Sequence, residues 1–116
     1  MADLLVDTDV FVDHLRGARR LRPRGDTVSY SVVTRCELFA GAAEQEEAVT
    51  LLLSGFRELV VDREVAEAAG RIRRETGVRT PDALIAATAI SHRLTLVSRN
   101  LKDFAKVPRL RTKAPR

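Results

Sequence analysis

The sequence predicts an α/β fold: a single-domain α/β/α sandwich with a central parallel sheet. Short apolar runs alternate along the chain with longer segments of helical periodicity. These runs lack the polar alternation of a half-exposed strand, and continuous apolar strands are typical of parallel sheets covered by helices on both faces. A chain of 116 residues is long enough for one domain, so we expect a single domain over residues 1–116.

The first elements are a buried strand over residues 4–6, an acidic turn, and a helix over residues 10–15. The strand is predicted by an apolar run that ends abruptly, and the helix by apolar residues at helical spacing. Glycine and proline between residues 16 and 26 indicate a loop, and residues 28–30 form a candidate short strand.

The middle of the chain predicts two helices, a strand and a third helix. The two helices cover residues 32–41 and 44–54, and Gly41 is expected to end the first of them. Residues 58–61 predict a second buried strand. Asp62 directly follows it and is well placed to cap a helix that runs to about residue 75.

The last part predicts an apolar helix and a third buried strand. Thr80 is expected to cap this helix, with Pro81 in the first turn and the acid Asp82 near the positive end. The helix, over residues 82–90, is apolar almost all round, which suits an element deep inside a domain. Residues 94–98 predict the strand, and the tail after Pro108 is expected to fray.

Composition excludes several classes of protein. The single cysteine cannot form an internal disulfide, and two histidines cannot make a zinc site without thiols. No apolar run approaches 18 residues, and the acidic N-terminus is unlike a signal peptide. We therefore expect a cytoplasmic protein with no membrane partner, in which carboxylates bind any metal.

The net charge of +4 is unevenly distributed. Residues 1–36 carry +1, residues 37–67 carry −6, residues 68–92 carry +2 and residues 93–116 carry +7. Arginine accounts for 17 of the 20 basic residues, and arginine suits bidentate contact with phosphate. The two basic clusters, residues 16–24 and 93–116, are typical of a polyanion partner, although charge that only improves solubility would look the same.

Several acids follow strands or face the core, where acids are unusual. Asp7 directly follows the first strand, at the end where α/β sheets place functional groups, although a helix cap would also explain it. Asp9 either caps the same helix or contacts a metal through water. Glu37 lies on an apolar helical stripe, where an uncompensated carboxylate costs several kcal/mol. Thr34-x-x-Glu37 also matches a capping box, which is a competing explanation.

Asp82 presents the same problem as Glu37, because it heads an apolar stripe of its helix. Asp103 is a weaker candidate, since residues 100–103 could form an ordinary capped turn. Converging carboxylates would repel one another, and a bound Mg²⁺ would remove that repulsion. Their wide spacing in sequence matches no local metal-binding loop, so the fold must assemble the site.

Four segments carry a resemblance to a known family. They are, in chain order, Leu5-Val6-Asp7-Thr8-Asp9, Glu37-Leu38-Phe39-Ala40-Gly41, Pro81-Asp82-Ala83-Leu84-Ile85-Ala86-Ala87-Thr88-Ala89, and Leu96-Val97-Ser98-Arg99-Asn100 with Asp103-Phe104. The chain resembles the PIN-domain ribonucleases, specifically the VapC-type toxins of bacterial toxin-antitoxin modules. Each motif is weak alone, but four in this order are specific.

The resemblance implies an α/β/α domain whose acids bind Mg²⁺ or Mn²⁺ and hydrolyse RNA. Asp7, Glu37 and Asp82 match the acidic triad, with Asp7 and Asp82 as the metal ligands, and Asp103 is a candidate fourth acid. Many relatives have aspartate where this chain has Asn100, so Asn100, Asp103 or both complete the site. The supporting residues are Ser98, Asn100 and Asp9, and the candidate contacts to the RNA backbone are Arg16, Arg19, Arg20 and Arg99.

Family members are usually homodimers held inactive by a cognate antitoxin, so we expect both kinds of partner. Two other functions compete. A receiver-type signalling domain would use Asp62 as its phosphoacceptor, but it would leave Glu37 and Asp82 unexplained and needs a lysine where this chain has Arg99. A catalytically silent RNA-binding module of the same fold would also fit the basic clusters, and Asn100 keeps that alternative open.

Overall fold

A computed structural model describes residues 2–115 as a five-stranded, all-parallel sheet in the order β3-β2-β1-β4-β5. The strands are β1 Asp3–Val6, β2 Thr27–Ser31, β3 Arg57–Leu59, β4 Thr95–Val97 and β5 Thr112–Lys113. The helices are α1 Thr8–Leu15, α2 Val32–Phe39, α3 Glu46–Leu53, α4 Arg63–Thr76, α5 Thr80–Ser91 and α6 Leu101–Phe104. The predicted α/β fold is confirmed.

The core has two halves, one on each face of the sheet. Side chains alternate between the faces along a strand, so Leu5 points to one face, while Leu4 and Val6 point to the other. Leu5 belongs to the cluster that contains the apolar residues of α4 and α5. Leu4 and Val6 belong to the cluster built by residues of α1, α2 and α3. Both faces are therefore covered, which explains why β1 is apolar without alternation.

The central position of β1 places the residues that follow it beside those that follow β4. Val6 pairs with Val97 at the ends of these two parallel strands. The backbone N–H of Asp7 then donates to the Val97 carbonyl, at 2.9 Å. Asp7 and Ser98 consequently lie next to each other at the carboxyl edge of the sheet.

The predicted strand over residues 58–61 is wrong in extent and in burial. β3 ends at Leu59, its only buried residue, and Val60 is 65% exposed. The physical reason is position, because β3 is an edge strand that pairs only with β2. The apolar run over residues 59–61 resembles that of a central strand, and sequence alone does not distinguish the two.

Two predicted helix ends are also wrong. α2 ends at Phe39 with Ala40 as its C-cap, and Gly41 does not adopt the left-handed conformation that would end a helix. Arg79, not Thr80, is the N-cap of α5, and its side chain makes no capping bond. The predicted helix over residues 44–54 begins with a short 3-10 turn and becomes α-helical at residue 46.

The tail does not fray as predicted over the residues described. Thr112 and Lys113 form β5 beside β4, and Ser98 donates its backbone N–H to the Lys113 carbonyl. A two-residue strand has too little pattern to be recognised in a sequence. Within residues 2–115, no helix combines the length and the apolar character needed to cross a membrane.

Candidate active site

Five acids from separate parts of the chain line one cleft at the carboxyl edge of the sheet. The cleft residues are Asp7, Asp9, Glu37, Arg79, Asp82, Asn100 and Asp103. The predicted acids that lie up to 96 positions apart thus share one site, as expected if the fold assembles it. Ser98 lies directly behind the cleft and contacts it through hydrogen bonds.

Asp7 is the most buried of these acids, with 5% of its surface exposed. It is the N-cap of α1, where one carboxylate oxygen accepts a hydrogen bond from the Thr8 backbone N–H at 2.8 Å. The other oxygen accepts from the Ser98 hydroxyl at 2.7 Å. Burial, and then the nearby Asp9 carboxylate, raise the pKa of Asp7 to about 7. Asp7 therefore caps α1 and also belongs to the cleft.

Glu37 is held by a hydrogen-bond relay through two threonines. Thr8 Oγ1 donates to Glu37 Oε1 at 2.7 Å and lies 2.9 Å from Thr34 Oγ1, which is fully buried. A hydroxyl has one proton and an ionised carboxylate only accepts, so Thr34 donates to Thr8 and Thr8 donates to Glu37. The capping box suggested by Thr34-x-x-Glu37 does not form, because Ser31 caps α2 by accepting from the Val33 N–H.

Asp82 lies in the first turn of α5 and is partly buried. Burial raises its pKa; the guanidinium of Arg79 opposes this effect, and the carboxylates of Glu37 and Asp103 add to it. Asp82 lies near the N-terminus of α5, where the positive end of the helix dipole favours a negative charge. This position also places Asp82 in the cleft that Glu37 lines.

The loop after β4 brings Ser98, Asn100 and Asp103 to the same cleft. The Ser98 hydroxyl donates to Asp7 and accepts from the Asn100 backbone N–H at 2.9 Å. The Asn100 side-chain amide donates to an Asp103 carboxylate oxygen at 3.1 Å. The structure thus places both Asn100 and Asp103 at the cleft, with the amide orienting the carboxylate.

Asp9 does not cap α1; it bonds to the loop after β4. It accepts from the Arg99 backbone N–H at 3.2 Å and from Ser98 Oγ at 3.3 Å. Arg99 Nε lies 3.1 Å from Asp13 and 3.9 Å from Asp9. Burial raises the pKa of Asp9, and these contacts to Arg99 oppose it. Asp13 is buried as well, and no feature of the sequence predicted its burial.

The arginines predicted to contact RNA are not at the cleft. Arg16, Arg19 and Arg20 are exposed on the loop after α1, and Arg19 donates to the Pro115 carbonyl at 3.1 Å. The Arg99 guanidinium is paired with Asp13. Arg79, which was not among the predicted site residues, does line the cleft. Its place directly before the Thr-Pro-Asp start of α5 was the available signal.

The chemistry of the cleft fits a hard divalent cation. Its donors are carboxylate and amide oxygens, which suit Mg²⁺ and Mn²⁺. Within residues 2–115, no three acidic, histidine or cysteine side chains lie close enough to form a ready-made ligand set. Mg²⁺ does not require one, because it is commonly bound by one or two carboxylates with water in its remaining positions. Asp7 and Asp82 fit that role.

The receiver interpretation is wrong. Asp62, its proposed phosphoacceptor, caps α4 by accepting from the Val65 N–H at 2.9 Å. It does not line the acidic cleft. The residue type at this position is explained by helix capping alone.

Comparisons with known proteins agree with this geometry. The family model for the PIN domain matches residues 4–110. Ribonuclease VapC19 of Mycobacterium tuberculosis is 34% identical over 91% of this chain and 95% of its own length. A toxin-antitoxin complex from Klebsiella pneumoniae contains a chain that is 36% identical, with a TM-score of 0.79, over 90% of this chain and 92% of that one.

A further solved structure supports the fold alone. A chain of DNA-bound VapBC from Salmonella typhimurium superposes with a TM-score of 0.86 at 24% identity, over 98% of both chains. The strand order, the acids brought to one edge of the sheet and the match over residues 4–110 lead to the same conclusion. The chain belongs to the PIN domain family.

Proposed function

We propose that the protein is a Mg²⁺-dependent endoribonuclease that hydrolyses RNA phosphodiester bonds, and that it is the toxin of a toxin-antitoxin pair. Mn²⁺ also suits these oxygen donors and is the alternative cation. The observation that carries the proposal is the convergence of Asp7, Glu37, Asp82 and Asp103 in one cleft. Its similarity to a protein named ribonuclease VapC supports RNA as the substrate.

Asp7 and Asp82 are the proposed metal ligands. Burial raises the pKa of both carboxyls, so a cation between them would replace the solvation that each lost on folding. Mg²⁺, when bound, supplies a nucleophilic water at neutral pH and neutralises charge on the phosphate. Ser98 and the Thr8 N–H keep the two oxygens of Asp7 in a fixed orientation.

Glu37 is the proposed group that orients the attacking water and accepts its proton. The Thr34–Thr8 relay occupies one oxygen of its carboxylate, so the other is available toward the cleft. Asp103, oriented by Asn100, is placed to assist a second cation. Asn100 and Ser98 therefore act as positioning residues in this proposal.

The proposed partners follow from the relatives. VapBC and toxin-antitoxin complexes among the structural neighbours support a cognate antitoxin. We also propose that the protein is a homodimer and that it acts in the cytoplasm, where an RNA substrate would be encountered. Arg16, Arg19 and Arg20 form an exposed basic loop that suits contact with the RNA backbone away from the cleft.

The test is metal-dependent cleavage by matched aspartate variants. Wild-type protein is incubated with RNA oligonucleotides in Mg²⁺ and in EDTA, beside Asp7→Asn, Asp82→Asn and Asp62→Asn. We expect the two cleft variants to lose more than about a hundredfold in rate, because loss of a partner that only supports a metal ligand already costs about 10- to 100-fold. Asp62→Asn should cleave as the wild type does, because Asp62 only caps α4.

Two outcomes would contradict the proposal. Full cleavage by Asp7→Asn or Asp82→Asn would show that these acids do not carry the chemistry. RNA binding without cleavage by the wild type, in Mg²⁺ or Mn²⁺, would instead favour the silent RNA-binding module. Sequencing RNA ends after brief expression of wild type and Asp7→Asn in bacteria would identify the RNA that is cut.

A further inference from the structure

We infer that Arg79 holds the RNA phosphate at the acidic cleft, and that Arg99 instead fixes the loop after β4. The inference rests on the proposed ribonuclease function and extends it to a substrate-binding residue. It exchanges the roles that sequence alone suggested, since Arg99 was expected to contact RNA and Arg79 was not selected.

In the part of the chain that the structure describes, Arg79 is the one basic residue that lines the cleft. It is exposed and lies at the N-cap of α5, three positions before Asp82. Its side chain makes no capping bond. Within residues 2–115, it has no carboxylate within ion-pair distance, so its guanidinium is available to a ligand.

Arg99 is committed to the protein itself. Its Nε lies 3.1 Å from the buried carboxylate of Asp13, and its backbone N–H donates to Asp9. These contacts join the loop after β4 to α1. Recruiting the Arg99 guanidinium to a phosphate would leave Asp13, 8% exposed, without its cation, and an unpaired buried charge is costly.

The cleft is rich in negative charge, which Arg79 partly offsets. Five carboxylates line it against a single guanidinium. An incoming phosphodiester is itself an anion, and one divalent cation offsets only part of that negative charge. A guanidinium presents two parallel N–H donors that match two phosphate oxygens, so Arg79 can both attract and orient the substrate.

The experiment compares Arg79→Ala and Arg79→Lys with Arg63→Ala. Arg63 is a matched control, because it is exposed at a helix start but does not line the cleft. Steady-state cleavage of an RNA oligonucleotide gives KM and kcat, and binding of the same RNA in EDTA at several salt concentrations gives the salt dependence. Thermal unfolding confirms that each variant is folded.

For Arg79→Ala we expect KM to rise about tenfold, as for loss of one charge-assisted hydrogen-bonded contact, with a smaller change in kcat. The slope of log K against log salt should decrease by about 0.7, the value for one phosphate contact on single-stranded nucleic acid. Arg79→Lys should recover the slope but only part of KM, because lysine keeps the charge without the planar fork. Arg63→Ala should match the wild type.

An unchanged KM and salt slope in Arg79→Ala would overturn the inference, as would an equal effect in Arg63→Ala. Arg99→Ala provides the reciprocal test: it should lower the unfolding temperature and kcat while leaving the salt slope unchanged. A loss of slope in Arg99→Ala but not in Arg79→Ala would reverse the assignment. If the wild type did not cleave RNA, the proposed function would fail, but the binding slopes in EDTA would still decide between the two arginines.

Discussion

The acidic cleft and the cluster of Tyr30, Arg35 and Glu58 differ in how the charges of their carboxylates are compensated. In the cluster, Arg35 pairs with Glu58, and the Tyr30 hydroxyl donates to Glu58 while accepting from Arg35. The Arg35 guanidinium holds the pKa of Glu58 below its usual range. In the cleft, by contrast, burial raises the pKa of Asp7 and Asp82.

The two regions are close in sequence, since Arg35 and Glu37 both belong to α2. Arg35 contributes to a cluster in which the charges are paired. Glu37 contributes to a cleft in which carboxylates outnumber cations. The difference indicates different roles. A cluster with its charges paired contributes to the fold, whereas carboxylates that lack a cation destabilise the free protein and are suited to bind one.

The largest expected effect that separates the regions is the pH dependence of stability. A carboxyl whose pKa is raised by folding destabilises the folded state once it ionises, so the cost from Asp7 is absent below about pH 4 and complete above about pH 7. With a pKa of about 7 against an ordinary 3.8, that cost reaches about 4 kcal/mol at most. Asp7→Asn should therefore be more stable than the wild type at pH 8.

Urea unfolding in EDTA from pH 5 to pH 8 measures this cost. The stability advantage of Asp7→Asn should grow as the pH rises. Glu58 has the opposite sign and a different window: its stabilising contribution is present above its unfolded pKa and is lost only as the pH falls through its lowered value. Glu58→Gln should thus differ from the wild type by a constant amount over this range. A constant difference for Asp7→Asn would contradict the comparison.

The second effect is on catalysis and uses two identical substitutions. Glu37→Gln should lower kcat by about a hundredfold, in the range expected for a general base. Glu58→Gln should leave kcat nearly unchanged, because the Glu58 carboxylate bonds to Tyr30 and Arg35 and does not line the cleft. Cleavage rates and urea midpoints of both variants provide the test. Equal losses of kcat in the two variants would mean that Glu37 supports activity by stabilising the fold and takes no direct part in the reaction.

A smaller effect is expected for the relay that positions Glu37. Thr34→Val removes the hydroxyl that donates to Thr8, while Thr34→Ser retains it. We expect Thr34→Val to lower kcat about tenfold with KM unchanged, because a group held less firmly reacts from fewer productive orientations. Thr34→Ser should keep most of the activity despite losing a buried methyl group. If the serine variant were the slower of the two, packing and not the hydrogen bond would be responsible.

The smallest effect belongs to the compensated cluster. Tyr30→Phe removes a hydroxyl that bonds to Glu58 and Arg35, which should cost about 1 kcal/mol of unfolding free energy. Arg35 and Glu58 remain paired, so cleavage should be unchanged. Thermal unfolding and the RNA assay on the same samples measure both quantities. A marked loss of cleavage without a loss of stability would place this cluster in the active site.

The sequence predicted Asp7, Glu37 and Asp82 because each breaks a local rule. An acid directly after a buried strand or on an apolar helical stripe needs a compensating partner, and this need can be read without knowing the fold. Rules based on neighbouring residues in the sequence failed where residues distant in the sequence determine the burial or conformation of a residue. Val60 looked like core but lies exposed beyond an edge strand, and Gly41 looked like a helix end but is not.

By itself, the sequence determined the alternation of apolar strands and helices, and hence the parallel sheet, because hydrophobic periodicity is a local property. The resemblance to the family rested on four short motifs. Only the tertiary structure decided how charges pair. Arg99 pairs with Asp13, 86 positions earlier, and among the arginines of residues 2–115 Arg79 alone lines the cleft. Coulombic and hydrogen-bonding partners are selected by distance in space, which the order of residues along the chain does not specify.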